Sequence, residues 1–363
     1  MRAYQHSTQL PPAQAVWLFI DSQTVGGIES HVANLALALH QRGHNIAVVF
    51  WRAYASPHPM LEQLNSAAVP WLILDGSVGS LLHACNDFSP KLVHSHGYKA
   101  SLIARLLRCI KSTKLVSSFH AGEVSQGRLA CYDWLDRYTA CLSQARIAIS
   151  QDIAKRVAAS SIIVNNFVQV PKAASKSLVK KRRLCIGFVG RLTKVKGPDR
   201  FYQLAKAMPE LDFVVFGEGT LQPNEEYKSL SNLSLRGKQN CMDNCWQEMD
   251  LLCMPSRNEG LPLAALEAMS RGIPVIANNV GALSELIQHQ QNGFLLEGFN
   301  IEQWQQIIKS WQSTPHLQTN LAKQARKTIQ QRYSPEAVIQ QFEQVYEQLV
   351  PLSRAKANSP SIL

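Results

Sequence analysis

The sequence predicts two α/β domains, each built on a parallel sheet, and three observations predict it. A strand, a glycine turn, a helix and a second strand follow one another between residues 15 and 50, the usual opening of a parallel α/β unit. The same rhythm restarts at Cys185, after a stretch poor in apolar residues. The chain has 363 residues and is 46% hydrophobic, enough for two packed cores and too much for global disorder.

The elements follow in order. Residues 15–20 form an apolar, strand-length run that ends at Asp21. Gly26 and Gly27 make a turn, and Ile28, Val32, Leu35 and Leu39 then recur at helical spacing up to a stop at Gly43. Residues 46–50 read as the next strand, and further strands are expected at 71–74, 92–93, 115–116, 147–149 and 162–164. The stretch 172–183 is rich in Lys, Ala and Ser and reads as a linker. Strands are then expected at 185–189, 213–216, 251–254 and 275–276, and helices at 304–311, 317–333 and 335–349. The division is therefore a first domain at 1–170, a linker at 171–183, a second domain at 184–334, a last helix at 335–350 and a disordered polar tail at 351–363.

The formal net charge of +11 favours an anionic partner: a nucleotide, an anionic membrane surface or a nucleic acid. No apolar run reaches the roughly 18 residues of a membrane-spanning helix. The start of the chain, with Pro11 and Pro12 and a short apolar run before Asp21, makes a poor signal peptide, so a cytoplasmic location is expected. The eight cysteines are scattered, and only Cys241 and Cys245 lie close together. No histidine cluster accompanies that pair in sequence, so reduced thiols are expected there and no zinc.

Residues 256–272 are the most informative stretch. Glu259 sits in a loop ahead of Gly260, Leu261 and Pro262, and Pro262 suits the first position of a helix. Glu267 falls in the second turn of that helix, among Ala264, Ala265, Leu266, Ala268 and Met269. A helix apolar on nearly every side is expected to be buried, and a carboxylate within it needs a hydrogen-bonding partner such as a ribose. Glu259 and the backbone N–H groups of Gly260 and Leu261 lie where a polar or anionic ligand is favoured.

Other candidates stand at strand ends, where ligands of such sheets bind. After Gly190, Arg191 and Lys196 flank a short loop closed by Gly197; the loop either holds a diphosphate or is a solvated basic turn. Gly26-Gly27 either lets backbone approach a ligand or simply makes a turn. His120 follows the strand at 115–116 and faces a ligand or serves a loop; His96 ends another strand and faces either core or site. No Asp-X-Asp pair occupies a suitable turn, so no metal-held diphosphate is expected. Arg191 and Lys196 would instead stabilise a departing nucleoside diphosphate.

Taken together these motifs resemble glycosyltransferase family 4. They are Gly26-Gly27-Ile28-Glu29, Gly190-Arg191 with Lys196-Gly197, Gly217-Glu218-Gly219, and the run from Pro255 through Glu259 to Glu267. The resemblance implies the GT-B fold, two Rossmann-like, doubly wound parallel-sheet domains facing a central cleft. It implies a retaining transferase that uses a nucleotide-diphosphate sugar, with the leaving phosphate assisting the acceptor hydroxyl. Arg191, Lys196 and Gly190 would hold the diphosphate, Gly217 would border the donor, Glu267 would bind the ribose, and Arg236 and Lys238 would lie beside the base. Glu259, Gly260 and Leu261 would contact the donor sugar, with Gly26 and Gly27 approaching from the other domain. His120 matches a histidine near the transferred sugar, although here it is followed by Ala121-Gly122 rather than directly by Gly. The catalytic set implied is His120, Glu259, Arg191 and Lys196, without metal or cofactor, and the helix at 335–350 would return to the first, acceptor-side domain. The pathway implied is lipopolysaccharide or surface-polysaccharide biosynthesis.

The segment 100–114 reads as amphipathic, with Leu102, Ile103, Leu106, Cys109 and Ile110 on one face and Arg105, Arg108 and Lys111 on the other. Arg128, Tyr132, Trp134 and Arg137 add a second basic, aromatic stretch. These suggest peripheral docking on the inner face of the cytoplasmic membrane, or an ordinary solvated surface. Two other functions remain open: an epimerase or hydrolase acting on the same sugar nucleotide, and a non-catalytic nucleotide binder. Nucleic acid is disfavoured, because Glu259 and Glu267 would repel phosphate.

Overall fold

The computed structural model describes residues 4–23, 26–54, 56–120, 127–171 and 183–352. Nearly all of the expected linker, the tail from 353 onward, and Ala121-Gly122 after His120 lie outside the described residues. The chain divides into two compact units. One holds the residues up to Asn166 together with those from Val338 onward, and the other holds Phe167–Ala337.

The first unit is built on eight strands: β1 (Tyr4–His6), β2 (Val16–Ile20), β3 (Ile46–Phe50), β4 (Trp71–Leu74), β5 (Leu92–His96), β6 (Lys114–Phe119), β7 (Ala145–Ala148) and β8 (Ile162–Ile163). Their order across the sheet is β1-β4-β3-β2-β5-β6-β7-β8. Every pairing is parallel except β1 on β4. Strands β2, β3 and β5 are buried along their whole length, so β2 and β3 read as continuous apolar runs, whereas β5 buries His94, Ser95 and His96 after its two apolar residues. The helix Gly27–Gln41 buries Val32, Leu35, Ala36 and Leu39, one stripe at helical spacing. It stops at Gly43, whose φ of 80° takes the left-handed turn that a side chain resists.

The helix Pro335–Glu347 runs from the end of the second unit into the first. There Phe342 and Tyr346 are fully buried. The Glu343 carboxylate accepts two hydrogen bonds from Arg42, at 2.7 and 2.9 Å, and lies 2.6 Å from His44 Nε2.

The second unit has six strands: β9 (Cys185–Val189), β10 (Asp212–Phe216), β11 (Leu233–Gly237), β12 (Leu251–Met254), β13 (Val275–Asn278) and β14 (Gly293–Leu296). All pairings are parallel, in the order β11-β10-β9-β12-β13-β14. This is the 3-2-1-4-5-6 order of a doubly wound nucleotide-binding sheet. The chain direction reverses across the sheet between β9 and β12, so the loops leaving these two strands diverge and leave a crevice at their carboxyl ends. In the first unit the corresponding strands are β2 and β5, paired with Ile20 opposite His96.

Three strands escape a reading by apolar runs. β1 has three partly exposed residues at an antiparallel edge, β11 is an exposed edge with polar residues interleaved, and β14 opens on a glycine. Among the described residues no helix is long and apolar enough to cross a membrane.

Candidate active site

The second unit brings its two strongest motifs together at the reversal point. The loop after β9 carries Gly190, Arg191, Lys196 and Gly197, and the loop after β12 carries Ser256, Arg257 and Glu259. Arg257 pins one loop to the other. Its guanidinium makes a two-pronged pair with Asp199, at 2.9 and 2.6 Å, and donates to the Lys194 carbonyl at 2.6 Å. The Arg257 N–H also donates to the Val195 carbonyl at 2.7 Å. Gly197 lets the loops meet, because a Cβ there would sit 2.4 Å from the Pro255 carbonyl oxygen.

Inside this clamp the Glu259 carboxylate is buried, with both oxygens engaged. Lys196 Nζ donates to Oε2 at 2.6 Å and Ser256 Oγ donates to Oε1 at 2.8 Å. Lys196 and Glu259 therefore form one ion pair, a relation that 63 residues of separation hide in the sequence. The Lys196 side chain is 20% exposed against 2% for Glu259, so the cation is the more accessible member of the pair. Arg191 lies exposed on the same loop.

Glu267 lies in the second turn of the helix Leu263–Ser270, as the sequence predicts, with Ala265, Leu266, Ala268 and Met269 fully buried around it. The helix begins one residue later than expected. Pro262 is its cap in extended backbone, and Gly260 and Leu261 therefore precede the first turn. Burial pushes the Glu267 carboxyl up to about 7, against the opposing pull of Arg271. Arg271 is itself held by Asp243 at 2.5 Å.

Gly217 follows β10 directly and lies beside Gly190. A Cβ on Gly217 would lie 1.9 Å from the Gly190 carbonyl oxygen, so the two turns can stack only without that side chain. Arg236 pairs with Glu248 at 3.1 Å on the exposed edge strand β11, and Lys238 follows it, also exposed. Asp199 and Gly281 are members of this site that motif reading misses. Asp199 had a signal, an acid in the first turn of the helix Pro198–Ala207 after Lys-Gly-Pro. A Cβ on Gly281 would collide at 1.9 Å with the Glu259 carbonyl oxygen, a contact visible only in three dimensions.

In the first unit the carboxyl ends of β2, β5 and β6 gather histidines. Gly26 caps the helix Gly27–Gln41, and His31 lies on that helix with its side chain buried. His96 ends β5 and its Nδ1 is 3.2 Å from His120 Nε2, just beyond β6. The His31 ring lies 4.7 Å from that of His120 and 5.5 Å from that of His96. His94 backs the group from within the core, its two nitrogens at 2.6 Å from Tyr346 Oη and 2.7 Å from Ser118 Oγ. Burial lowers His31 to about 4, despite an opposing hydrogen bond from Asn166. Burial also holds His94, His96 and His120 well below the ordinary imidazole range, and neighbouring imidazoles push in the same direction. All four rings are thus neutral at neutral pH.

The face assignment for 100–114 needs correction at Arg105. This residue is buried, paired with Asp136 at 2.8 Å, and donates to the Asp136 carbonyl at 2.7 Å and Thr139 Oγ1 at 2.8 Å. The helix Tyr98–Ile110 packs inward through Ala100, Ala104 and Leu107, and Arg105 goes with them because Asp136 offers a partner. Leu106 and Ile110 instead project outward, 62% and 58% exposed. Trp134 and Tyr138 are also exposed, and their rings stack at 5.2 Å on the helix Arg128–Tyr138.

Comparison with known proteins joins these observations. A model of group 1 glycosyl transferases matches residues 170–328, and a model of glycosyltransferase family 4 matches residues 25–168. An uncharacterized glycosyltransferase of Haemophilus influenzae is 27% identical over 57% of this chain and 63% of its own length. An Escherichia coli UDP-Gal:alpha-D-GlcNAc-diphosphoundecaprenol alpha-1,3-galactosyltransferase is 26% identical over 57% of this chain and 62% of its own. The chain thus spans a little under two thirds of the length of these two relatives. Anabaena HepE, solved in complex with UDP-glucose, superposes with a TM-score of 0.77 at 17% identity, covering 92% of this chain and 99% of that one. That likeness is one of fold. With one family model falling on each unit in turn, the chain belongs to the group 1 and family 4 glycosyltransferases and has their GT-B architecture of two parallel-sheet α/β domains.

Proposed function

We propose that this protein is a retaining, metal-independent glycosyltransferase. It moves a sugar from a nucleotide-diphosphate donor to a hydroxyl of a glycan or lipid-linked acceptor, in the assembly of a surface polysaccharide or lipopolysaccharide. The observation that carries this reading is the clamp of Lys196, Ser256 and Glu259 at the reversal point of the second sheet, with Glu267 on the helix that follows. Lys196 and Arg191 would take the diphosphate and neutralise it as it departs. Glu267 would accept hydrogen bonds from the ribose hydroxyls. Glu259 has both oxygens engaged, which suits a group that orients a sugar hydroxyl better than one that attacks carbon. The first unit would present the acceptor and His120. A lipid-linked acceptor is supported by the diphosphoundecaprenol substrate in the E. coli relative's name, and a uridine donor by the HepE complex.

Calorimetric titration of UDP, GDP, ADP and NAD in the presence of EDTA tests the donor reading. One diphosphate should bind at micromolar level, and Arg191→Ala should weaken it by about tenfold, the loss of one charge-assisted contact. Binding of none, or a preference for NAD, overturns the reading.

The exposed Leu106, Ile110, Trp134 and Tyr138, with Arg108 and Lys111 nearby, would rest on an anionic bilayer. In flotation the protein should rise with anionic vesicles, less so in high salt, and not with neutral ones. Trp134→Ala should reduce the floated fraction. Equal failure with both lipids rules docking out.

A further inference from the structure

We propose that His31, His96 and His120 form a binding site for one divalent transition-metal ion, of the class that prefers imidazole nitrogen. One ring nitrogen from each of the three lies within 4.8 Å of the others. They come from three different segments: a helix, the end of β5, and the residue following β6. The tightest edge already has coordination dimensions. His96 Nδ1 and His120 Nε2 stand 3.2 Å apart. Two nitrogens each at roughly 2.0–2.1 Å from a tetrahedral ion are separated by about 3.3 Å. Closing the third ring onto that edge, from within 4.8 Å to the same spacing, requires a shift of at most about 1.5 Å, within the reach of side-chain torsions.

The chemistry of the rings agrees with the geometry. Two neutral imidazoles facing each other at this distance share at most one proton, and an ion placed between them would use both lone pairs. The displaced proton moves to the outer nitrogen of the ring that carried it. For His96 nothing fixes the tautomer in advance, because its buried Nε2 makes no hydrogen bond among the described residues. His31 is steadied from outside the cluster by the Asn166 side chain, the kind of support that orients a ligating imidazole. His94 lies close, its ring 4.1 Å from that of His96, yet it is not a ligand: Tyr346 and Ser118 occupy both of its nitrogens.

Three imidazoles without a carboxylate favour Zn²⁺, Co²⁺, Ni²⁺ or Cu²⁺ over Mg²⁺ and Ca²⁺, which take oxygen ligands. Three protein ligands leave a fourth position for an exchangeable one. His120 is only half-buried, whereas His31 and His96 are fully buried, so His120 is the ligand most open to exchange with solvent. The nucleotide diphosphate is assigned to Arg191, Lys196 and Glu267 in the second unit, so metal binding and nucleotide binding are measured separately and either can fail without the other; His120 alone is shared with the proposed function.

The test uses the full chain, purified without a histidine tag and stripped with EDTA. Zn²⁺ is titrated by calorimetry and Co²⁺ by its visible ligand-field spectrum. One equivalent should bind, with a tetrahedral or five-coordinate nitrogen signature and no thiolate charge-transfer band. His31→Ala and His120→Asn should each weaken binding by at least about tenfold. His120→Asn, half-buried, is the variant most certain to fold, with circular dichroism as the check. His83→Ala, at an exposed histidine, and the pair Cys241→Ser with Cys245→Ser should leave binding unchanged. The proposal is overturned if folded wild type shows no saturable single site, if His120→Asn binds as wild type does, or if the thiol substitutions abolish binding.

Discussion

Replacing Lys196 with alanine should produce the largest loss of any single substitution in the second unit, and it should do so in two separable ways. The first is catalytic. If the ammonium neutralises the departing diphosphate, its removal should lower kcat/KM by about 10²–10³, the usual effect of deleting one preorganised charge-stabilising donor. The second is structural. Lys196 Nζ is the cation paired with Glu259, whose side chain is only 2% exposed. Deleting it strands a buried carboxylate, which costs about 3–5 kcal/mol when one partner of such a pair is removed. The double variant Lys196→Ala with Glu259→Gln separates the two. The neutral amide removes the stranded charge, so the denaturation midpoint should recover most of the way, while affinity for the nucleoside diphosphate should not. Calorimetry and urea unfolding on the same three proteins decide the matter. If the double variant regains nucleotide affinity along with stability, Lys196 is an internal brace and not a diphosphate ligand. Arg191→Ala is the matching control, because an exposed cation should lose affinity with little change in stability.

The sequence shows the skeleton of this arrangement and hides its joints. The central strands were readable because parallel strands buried on both faces leave continuous apolar runs, as in Ile46–Phe50 and Leu251–Met254. Edges lack that signature. β11 alternates leucine with serine and arginine at an exposed rim, and β1 is a three-residue strand whose partner β4 lies far along the chain. The same limit applies to side chains. Helical periodicity alone assigns Arg105 to a solvated face, because a charge is costly inside unless paired. Its partner Asp136 lies on another helix, and only the fold reveals the pairing. The histidine group is the clearest case. Residues 31, 94, 96 and 120 are spread over three strand–helix units, and only the β2-β5-β6 adjacency collects them. By contrast the places of Glu259 and Glu267 in the fold were legible, because a loop with glycine and proline followed by a mostly apolar run sets one acid ahead of a buried helix and the other in its second turn.

Glu267 supplies the second large expectation, in which one residue moves stability and affinity in opposite directions over the same pH range. Burial holds its carboxyl at about 7 in the folded protein, against an ordinary value of 4.5. A carboxyl raised in this way favours the fold while it is protonated. Its contribution is complete below the unfolded value and is lost as pH rises through about 7, a loss on the order of 3 kcal/mol at most. Unfolding of the ligand-free protein should therefore become easier between pH 5 and pH 8, and Glu267→Gln, which cannot ionise, should lack that slope. Ribose hydroxyls donate hydrogen bonds and prefer the ionised carboxylate as acceptor. Nucleotide binding should accordingly tighten over the same interval, by up to about tenfold per pH unit below the carboxyl's own value, levelling off above it. Titration of the nucleotide phosphate contributes a slope of its own, which the Gln variant isolates. Calorimetry in two buffers of different ionisation enthalpy should detect a proton released on binding to wild type at pH 6.5 in excess of that released on binding to Glu267→Gln. Parallel pH profiles for wild type and the variant would mean that Glu267 does not hold the ribose, and its raised value would then be only the consequence of packing a carboxyl among Ala265, Leu266 and Met269.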